Sequence, residues 1–223
     1  MTIGRANYGA ASNGGSGLMQ LAYSVCSAVT WMAALNLAWM LGTALGGVLL
    51  GAGPATAAAH TLARRRLRGE GVRFVRDFAS EYRAQWRTAN LAFAPLVLVA
   101  ISLAFTGAYL VESHAAWPAI AAYVVVAALA VGAGGVMAPM YAHYELPWCR
   151  YTSMSLRFAL AMPWAWVLVL ALAAAVVLVT LIVPALFWFV SIGAWIYLDT
   201  ALCLTLFAAN DARLNDDETD APA

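Results

Sequence analysis

The chain has 223 residues, of which 64% are hydrophobic and 10% are charged, with a net charge of +1 and a mean hydropathy of +0.77. Soluble domains carry roughly a quarter of their residues as charged side chains, so lipid must cover part of this surface. The small net charge excludes a protein whose overall field attracts nucleic acid. Cys26, Cys149 and Cys203 have no paired spacing, which favours apolar filler over metal ligands or a disulfide.

The N-terminal part predicts a short leader followed by a long first span. Residues 1–17 contain one arginine and then glycine, serine and asparagine, a composition that indicates a disordered leader rather than a signal peptide. Residues 18–50 are apolar, although a span needs only about 20 residues, so the first helix (near 20–50) is expected to be tilted, to be broken or to extend beyond the bilayer. Gly42 and Gly46 have the spacing that permits close helix contacts, or they reflect the ordinary glycine content of spans. Asn36 is a candidate intramembrane polar site, and an interhelical hydrogen bond is its expected role.

The stretch 51–90 carries most of the positive charge. It holds eight of the chain's twelve basic residues, and the chain has no lysine. Gly53 and Pro54 predict that a helix restarts here, and Gly69 predicts its end. This short helix is expected to leave the membrane for the headgroup layer, with His60 as an interfacial histidine. Its arginines and those that follow are candidate contacts for a partner or for lipid: Arg64, Arg65, Arg66, Arg68, Arg73, Arg76, Arg83 and Arg87.

Residues 72–90 have the pattern of an amphipathic helix, the second half of a basic amphipathic segment over 54–90. Aromatic residues recur every four positions (Phe74, Phe78, Tyr82, Trp86), and the arginines occupy the opposite face. This pattern favours a helix that lies in the membrane interface, and the alternative is a helix that docks on a partner protein.

Four further apolar segments, near 91–111, 119–141, 157–180 and 185–207, each have the length that a bilayer requires. The tail 209–223 is acidic and is expected to be disordered. The predicted fold is all-α: one membrane-embedded domain over 18–208, with about five transmembrane helices and a cytoplasmic interfacial amphipathic helix. The arginine bias places the N-terminus outside and the C-terminus in the cytoplasm. In the six-span alternative, residues 18–41 and 42–63 form a hairpin and the N-terminus is inside.

Asp199 is the second candidate intramembrane polar site. A carboxylate at that depth either contacts a substrate hydroxyl or a proton, or it pairs internally with Arg157 or Asn36. His143 and Glu145 lack further ligands at metal-binding spacing, so a solvated loop is expected there. Phosphate-loop, zinc-hydrolase, serine-hydrolase and kinase motifs are absent from the sequence, as is the loop by which importer permeases dock their ATPase. The chain is therefore expected to be neither an enzyme nor the permease, and to need no cofactor or metal.

Residues 18–93 resemble the start of the YesL-like family of bacterial membrane proteins of unknown function. The shared parts are Asn36 and Trp39 in the first span, a Pro-Ala-Thr box, a basic helix and the start of the next span. The candidate family motif consists of Gly53, Pro54, Ala55, Thr56, Gly69, Glu70 and Asn90. The resemblance implies the bacterial inner membrane and, because genes of this family often lie beside carbohydrate ABC importer genes, a role in sugar uptake. It supplies no catalytic residues.

Three hypotheses follow for the function. The first is an accessory subunit of a carbohydrate ABC importer, in which the arginines between residues 64 and 87 contact the permease or the ATPase. The second is a stand-alone carrier or channel, with Asp199 and Asn36 along its path. The third is a membrane-surface scaffold or sensor that recognises anionic lipid. The expected partners are thus the lipid bilayer and importer subunits, and nucleic acid is not expected.

Overall fold

The computed structural model describes residues 13–219, and these residues form helices without a strand. The predicted all-α class is therefore confirmed. Helix α1 begins at Asn13 and helix α8 continues to Thr219. The described parts of the predicted leader and tail are thus helical, because extending an existing helix costs far less than starting one. Residues 1–12 and 220–223, which complete those two segments, lie outside the described residues.

The described chain contains eight α-helices. They are α1 (Asn13–Leu45), α2 (Leu49–Leu67), α3 (Phe74–Ala84), α4 (Trp86–Glu112), α5 (Trp117–His143), α6 (Tyr151–Ala161), α7 (Pro163–Ile182) and α8 (Ile192–Thr219). A 3-10 turn, Trp148–Arg150, precedes α6, and a π-helical turn, Phe187–Ser191, precedes α8. Five segments are long and apolar enough to cross a membrane, as predicted: Met19–Leu45, Trp86–Glu112, Trp117–His143, Pro163–Ile182 and Phe187–Ala212.

The long first apolar stretch is broken, which is one of the expected outcomes. The turn lies between Leu45 and Leu49, where Gly47 has φ +70° and Val48 has φ +66°. Glycine adopts this left-handed conformation without a steric penalty, so Gly47 sets the position of the turn. Pro54 lies inside α2 and does not begin it, so the predicted restart is wrong by a few residues. The predicted end is confirmed, since Gly69 has φ +74° just after α2.

Helix α2 lies at the centre of the fold. Eleven of its 19 residues are buried, and it contacts α1, α3, α4, α5 and α8. Small side chains explain this position, because alanines let neighbouring helices approach closely. His60 is 1% exposed, so this histidine is packed inside the bundle of helices, and the placement of α2 relative to the headgroup layer stays a prediction.

Helices α1 and α2 form an antiparallel hairpin. Near the turn, Ala55 packs on Gly42, and farther away Arg66 bonds Ser27. Helix α3 lies along this hairpin, with the Tyr82 hydroxyl donating to the Gly42 carbonyl at 2.8 Å. The hairpin has the form expected in the six-span alternative, although α2 is not among the five segments that meet the criteria for a span.

Three other predicted helices have different boundaries. The predicted amphipathic helix 72–90 is interrupted at Gln85, and α4 already begins at Trp86. The predicted span 157–180 is divided at Pro163, because proline cannot donate the backbone hydrogen bond that would continue α6. The predicted span 185–207 begins with the π-helical turn Phe187–Ser191.

Candidate functional site

The eight arginines of the basic stretch divide into two groups of four. The first group, at the C-terminal end of α2, makes contacts within the chain. The Arg66 guanidinium donates to the Ser27 hydroxyl at 2.6 Å and lies 4.6 Å from the centre of the Trp31 ring. A cation held over an aromatic ring by a hydrogen bond is well fixed, so Arg66 ties α2 to α1.

Arg65 ties the same end of α2 to the segment that follows. Its guanidinium pairs with the Glu70 carboxylate at 3.3 Å and with the Asp77 carboxylate at 3.6 Å. Asp77 also accepts a hydrogen bond from the backbone N–H of Arg73 at 3.0 Å, which ties the residue before α3 to the first turn of that helix. The predicted motif residue Glu70 thus holds an arginine in place.

Arg68 and Arg64 lie toward the end of α5. A guanidinium nitrogen of Arg68 lies 3.3 Å from His143 Nδ1. Burial, and then the neighbouring charge of Arg68, lower the pKa of Arg64. Close by, the Tyr144 hydroxyl donates to the Asp211 carboxylate at 3.2 Å, and burial together with this carboxylate raises the pKa of Tyr144 to about 12. These groups connect the ends of α2, α5 and α8.

The second group of arginines is exposed. Among the ion pairs between described residues, none involves its members: Arg73, Arg76, Arg83 and Arg87. The aromatic side of α3 faces the chain's own hairpin, with Phe78 8% exposed and Phe74 edge-on to Trp31 at 5.1 Å. The predicted amphipathic face exists, but it packs on α1 and α2, which is neither of the two surfaces expected from the sequence.

Asn36 joins the middle of α1 to the start of the last span. Its amide nitrogen donates to the carbonyls of Trp188 (2.8 Å) and Phe187 (3.3 Å). Its amide oxygen accepts from the backbone N–H groups of Ile192 (2.9 Å) and Gly193 (3.1 Å). A π-helical turn leaves backbone groups without regular partners, and Asn36 satisfies four of them. The expected interhelical hydrogen bond is present.

Asp199 and His60 are buried polar side chains on facing helices. His60 Nδ1 lies 2.8 Å from the Thr200 hydroxyl, which in turn donates to the Ile196 carbonyl at 2.6 Å. Asp199 is 0% exposed, with Cys203 Sγ 3.9 Å from one carboxylate oxygen and no hydrogen-bond partner on the other. Neither partner suggested for Asp199 is used, because Asn36 bonds elsewhere and Arg157 is exposed.

The family-motif residues of α2 each meet a different neighbour. A Cβ on Gly53 would lie 3.0 Å from Asn90 Oδ1, so glycine permits the contact with α4. Ala55 packs against Gly42, and the Thr56 hydroxyl accepts a 2.9 Å hydrogen bond from Trp39 Nε1. Pro54 is fully buried between them. The motif therefore builds the junction of α1, α2 and α4.

Gly42 and Gly46 form close contacts within the chain. A Cβ on Gly42 would lie 3.2 Å from Ala55 and 3.3 Å from Tyr82, and one on Gly46 would overlap the backbone of Gly51. Both glycines therefore make close helix contacts, which was the first of the two interpretations of their spacing. The partner is the chain's own α2 and α3, so these glycines are not free to pack on another protein.

The described residues line five surface grooves of about 250 to 510 Å³. None of these five is lined by Asp199, Asn36 or His60. Among the described residues, no group of three or more histidine, cysteine or acidic side chains is placed to hold a metal ion.

Sequence reasoning missed two contacts of this site. Arg66 meets Ser27 across 39 positions of sequence, and His60 meets Thr200 across 140. The usable signal was the position of Thr200 beside Asp199, because adjacent polar residues inside an apolar span indicate an interior face.

Comparison with known proteins identifies relatives of the chain. Residues 32–106 match a family described as "Protein of unknown function, DUF624". The chain is 33% identical over 150 residues to the Bacillus subtilis (strain 168) protein named "Uncharacterized protein YesV", an alignment that covers 63% of this chain and 69% of that protein. No solved structure matches the chain. The family match includes Gly53 and Asn90 of the junction of α1, α2 and α4, and the chain belongs to the YesL-like (DUF624) family of unknown function.

Proposed function

We propose that the chain is a non-catalytic accessory subunit of a carbohydrate ABC importer in the bacterial inner membrane, and that it contacts the permease or the ATPase through the exposed arginines of α3. The importer follows from the family resemblance. The contact surface follows from one observation: four arginines, Arg73, Arg76, Arg83 and Arg87, are exposed on one side of a helix and at the start of the next.

The packing of α3 supports a role in protein contacts. Phe78 and Tyr82 fix this helix to the hairpin, so its arginine face is presented at a constant angle. A preorganised charged surface gains affinity because little side-chain or backbone freedom is lost on binding. Charge complementarity of this kind mainly selects the partner and accelerates association.

Two considerations leave the arginine face of α3 as the proposed contact surface. The sequence suggested that small residues around Gly42 and Gly46 pack on permease spans, but both glycines are covered by α2 and α3. The arginine bias places the basic segment and the C-terminus on the cytoplasmic side, where an importer ATPase lies. The proposal also includes an N-terminus on the outer side of the membrane.

A detergent pull-down with the tagged chain tests the proposal. Importer subunits should co-purify with the native chain, and the double variant Arg73→Glu, Arg76→Glu should recover less than about one-tenth as much, because like charges across an interface cost several kcal/mol. The matched control is Arg150→Glu, Arg157→Glu, which makes the same charge change at exposed positions outside α3. An importer that purifies without the chain and transports at full rate after its deletion would contradict the proposal.

Asp199 favours a second candidate, a stand-alone carrier. One oxygen of its buried carboxylate has no hydrogen-bond partner, so a translocated proton or a substrate hydroxyl could bind there. Liposomes containing the purified chain should then move protons or sugar, and Asp199→Asn should abolish that flux while leaving the folded protein intact. Absence of flux, or flux unchanged in Asp199→Asn, would eliminate this candidate.

A further inference from the structure

An apolar groove runs between α1 and α3 on the outside of the hairpin. Its volume is about 510 Å³, and its walls are mainly apolar. On the α1 side, Leu37, Leu41 and Leu45 are each more than half exposed within it. On the α3 side, Val75 is 79% exposed, and Ala79 forms part of the floor. Hydrocarbon is the occupant that such walls suit.

A cationic cavity lies beside this groove. This second cavity has a volume of about 360 Å³ and includes Tyr82, Arg83, Trp86 and Arg87 in its lining. Tyr82 and Arg83 line both cavities, so the two are adjacent. The combined surface is an apolar groove with two guanidinium groups at one end.

The charges at this end are available for a ligand. Arg83 and Arg87 are exposed, and neither belongs to the ion pairs found among the described residues. The nearest acidic residue in sequence, Glu81, accepts a 2.7 Å hydrogen bond from the Gln85 amide. Two cations beside one apolar groove complement a ligand with an anionic head and a hydrocarbon chain.

The position of the groove fits a molecule of the bilayer. The α1 wall belongs to the candidate span Met19–Leu45, whose length and apolar composition suit hydrocarbon. Trp86 and Arg87 are the first residues of the candidate span Trp86–Glu112, and tryptophan and arginine are typical of the boundary between hydrocarbon and water. The composition of the groove and of its cationic end therefore matches an acyl chain and a phosphate, respectively.

We propose that this surface binds one anionic phospholipid, with an acyl chain in the groove between α1 and α3 and the phosphate between Arg83 and Arg87. The guanidinium fork matches phosphate oxygens in pairs, which makes arginine well suited to this contact. A zwitterionic lipid would place its own cation beside these arginines, whereas an anionic lipid would not. The proposal does not require an importer, although Arg83 and Arg87 also belong to the surface proposed for the importer contact.

Native mass spectrometry of the full chain in neutral detergent tests the headgroup contact. Equal amounts of phosphatidylglycerol and phosphatidylcholine are added, and bound lipid is counted. Phosphatidylglycerol should be retained, and Arg83→Gln, Arg87→Gln should weaken its binding roughly 30-fold, since each arginine near an anionic lipid contributes about fivefold. The matched control, Arg73→Gln, Arg76→Gln, removes the same charge outside the groove and should change binding by less than about twofold, because remote charges are screened.

A second pair of variants tests the acyl-chain contact. Ala79→Phe fills the groove and should displace the lipid although both arginines remain, whereas Ser80→Phe, at the neighbouring exposed position, should leave binding unchanged. Retained melting temperature shows that each variant is folded. Soluble glycerol phosphate should fail to displace the lipid. Displacement by glycerol phosphate, equal loss in both arginine pairs, equal binding of both lipids, or occupancy by a second copy of the chain would overturn the proposal.

Discussion

The side-chain amide of Asn36 on α1 donates a 2.8 Å hydrogen bond to the backbone carbonyl of Trp188, inside the π-helical turn at the start of the last span. The two residues are separated by 152 positions of sequence. Because the amide oxygen also accepts from the next turn of backbone, one side chain holds together two ends of the fold.

We expect Asn36→Leu to destabilise the protein by about 1–3 kcal/mol, because four backbone groups lose their partner in a dry environment. The loss should appear as a lower melting temperature in detergent, with unfolding monitored by size-exclusion chromatography. Thr30→Ala is the control, since its hydroxyl bonds only the Cys26 carbonyl within α1. Equal melting temperatures for Asn36→Leu and Thr30→Ala would refute the structural role.

Gly42→Leu should be more damaging than an ordinary glycine substitution. A side chain there meets Ala55 at 3.2 Å and Tyr82 at 3.3 Å, so overpacking should cost about 1–3 kcal/mol or more. Gly71→Leu is the matched control, because a Cβ there meets nothing within 4 Å. Thermal unfolding of both variants in one detergent measures the difference, and a Gly42→Leu variant as stable as Gly71→Leu would show that the hairpin does not require the contact.

Phe78→Ala should loosen α3 from the hairpin. Truncating a buried phenylalanine costs about 3–5 kcal/mol, and Phe78 is 8% exposed on the face that contacts α1 and α2. The exposed arginines of α3 are trypsin sites, so brief proteolysis should cut this segment more than about tenfold faster. Val75→Ala, at a 79% exposed position of the same helix, should be cut at the native rate. Similar cleavage of both variants would mean that Phe78 does not anchor the helix.

Thiol labelling should report the orientation of the spans. Cys149 is exposed in the turn before α6, and Cys203 is buried. With Cys26 replaced by serine, a membrane-impermeant maleimide should label Cys149 in inside-out vesicles but not in intact cells, since the arginine bias places this turn in the cytoplasm. Labelling of Cys149 from outside intact cells would reverse the proposed orientation.

The N-terminal side needs a separate probe, because five and six crossings differ there. Gly17→Cys introduces a thiol at an exposed position with nothing within 4 Å of the new Cβ. With native cysteines replaced, the five-span arrangement predicts labelling of this thiol in intact cells. Labelling only in inside-out vesicles would instead support the hairpin of α1 and α2 as two crossings.

The sequence predicted most of the long helices because length and hydropathy determine them. The bilayer demands about 20 apolar residues, so segments such as Trp86–Glu112 are visible without any tertiary contact. The aromatic–arginine division of α3 was equally visible. The surface on which its rings pack was not visible from the sequence. A periodic apolar face shows that another surface covers it, but it does not identify that surface.

The failures concern α2 and the partners of polar residues. The sequence of α2 gave no sign that neighbouring helices bury it, or that Thr200 meets His60 at 2.8 Å. The sequence suggested Arg157 or Asn36 for Asp199, yet neither is its partner. These contacts join residues far apart in the chain, and local pattern carries no information about which distant side chains meet.

The central position of α2 also constrains how the protein is made. Ribosomes synthesise α2 early, but part of its covering, including Thr200 and Ile196, lies on α8, the last helix of the chain to be described. Until α8 emerges, His60 and the neighbouring alanines lack that covering. Assembly of this core therefore waits for α8, and a chain stopped before α8 leaves α2 without its full set of neighbours and exposed to quality-control proteases.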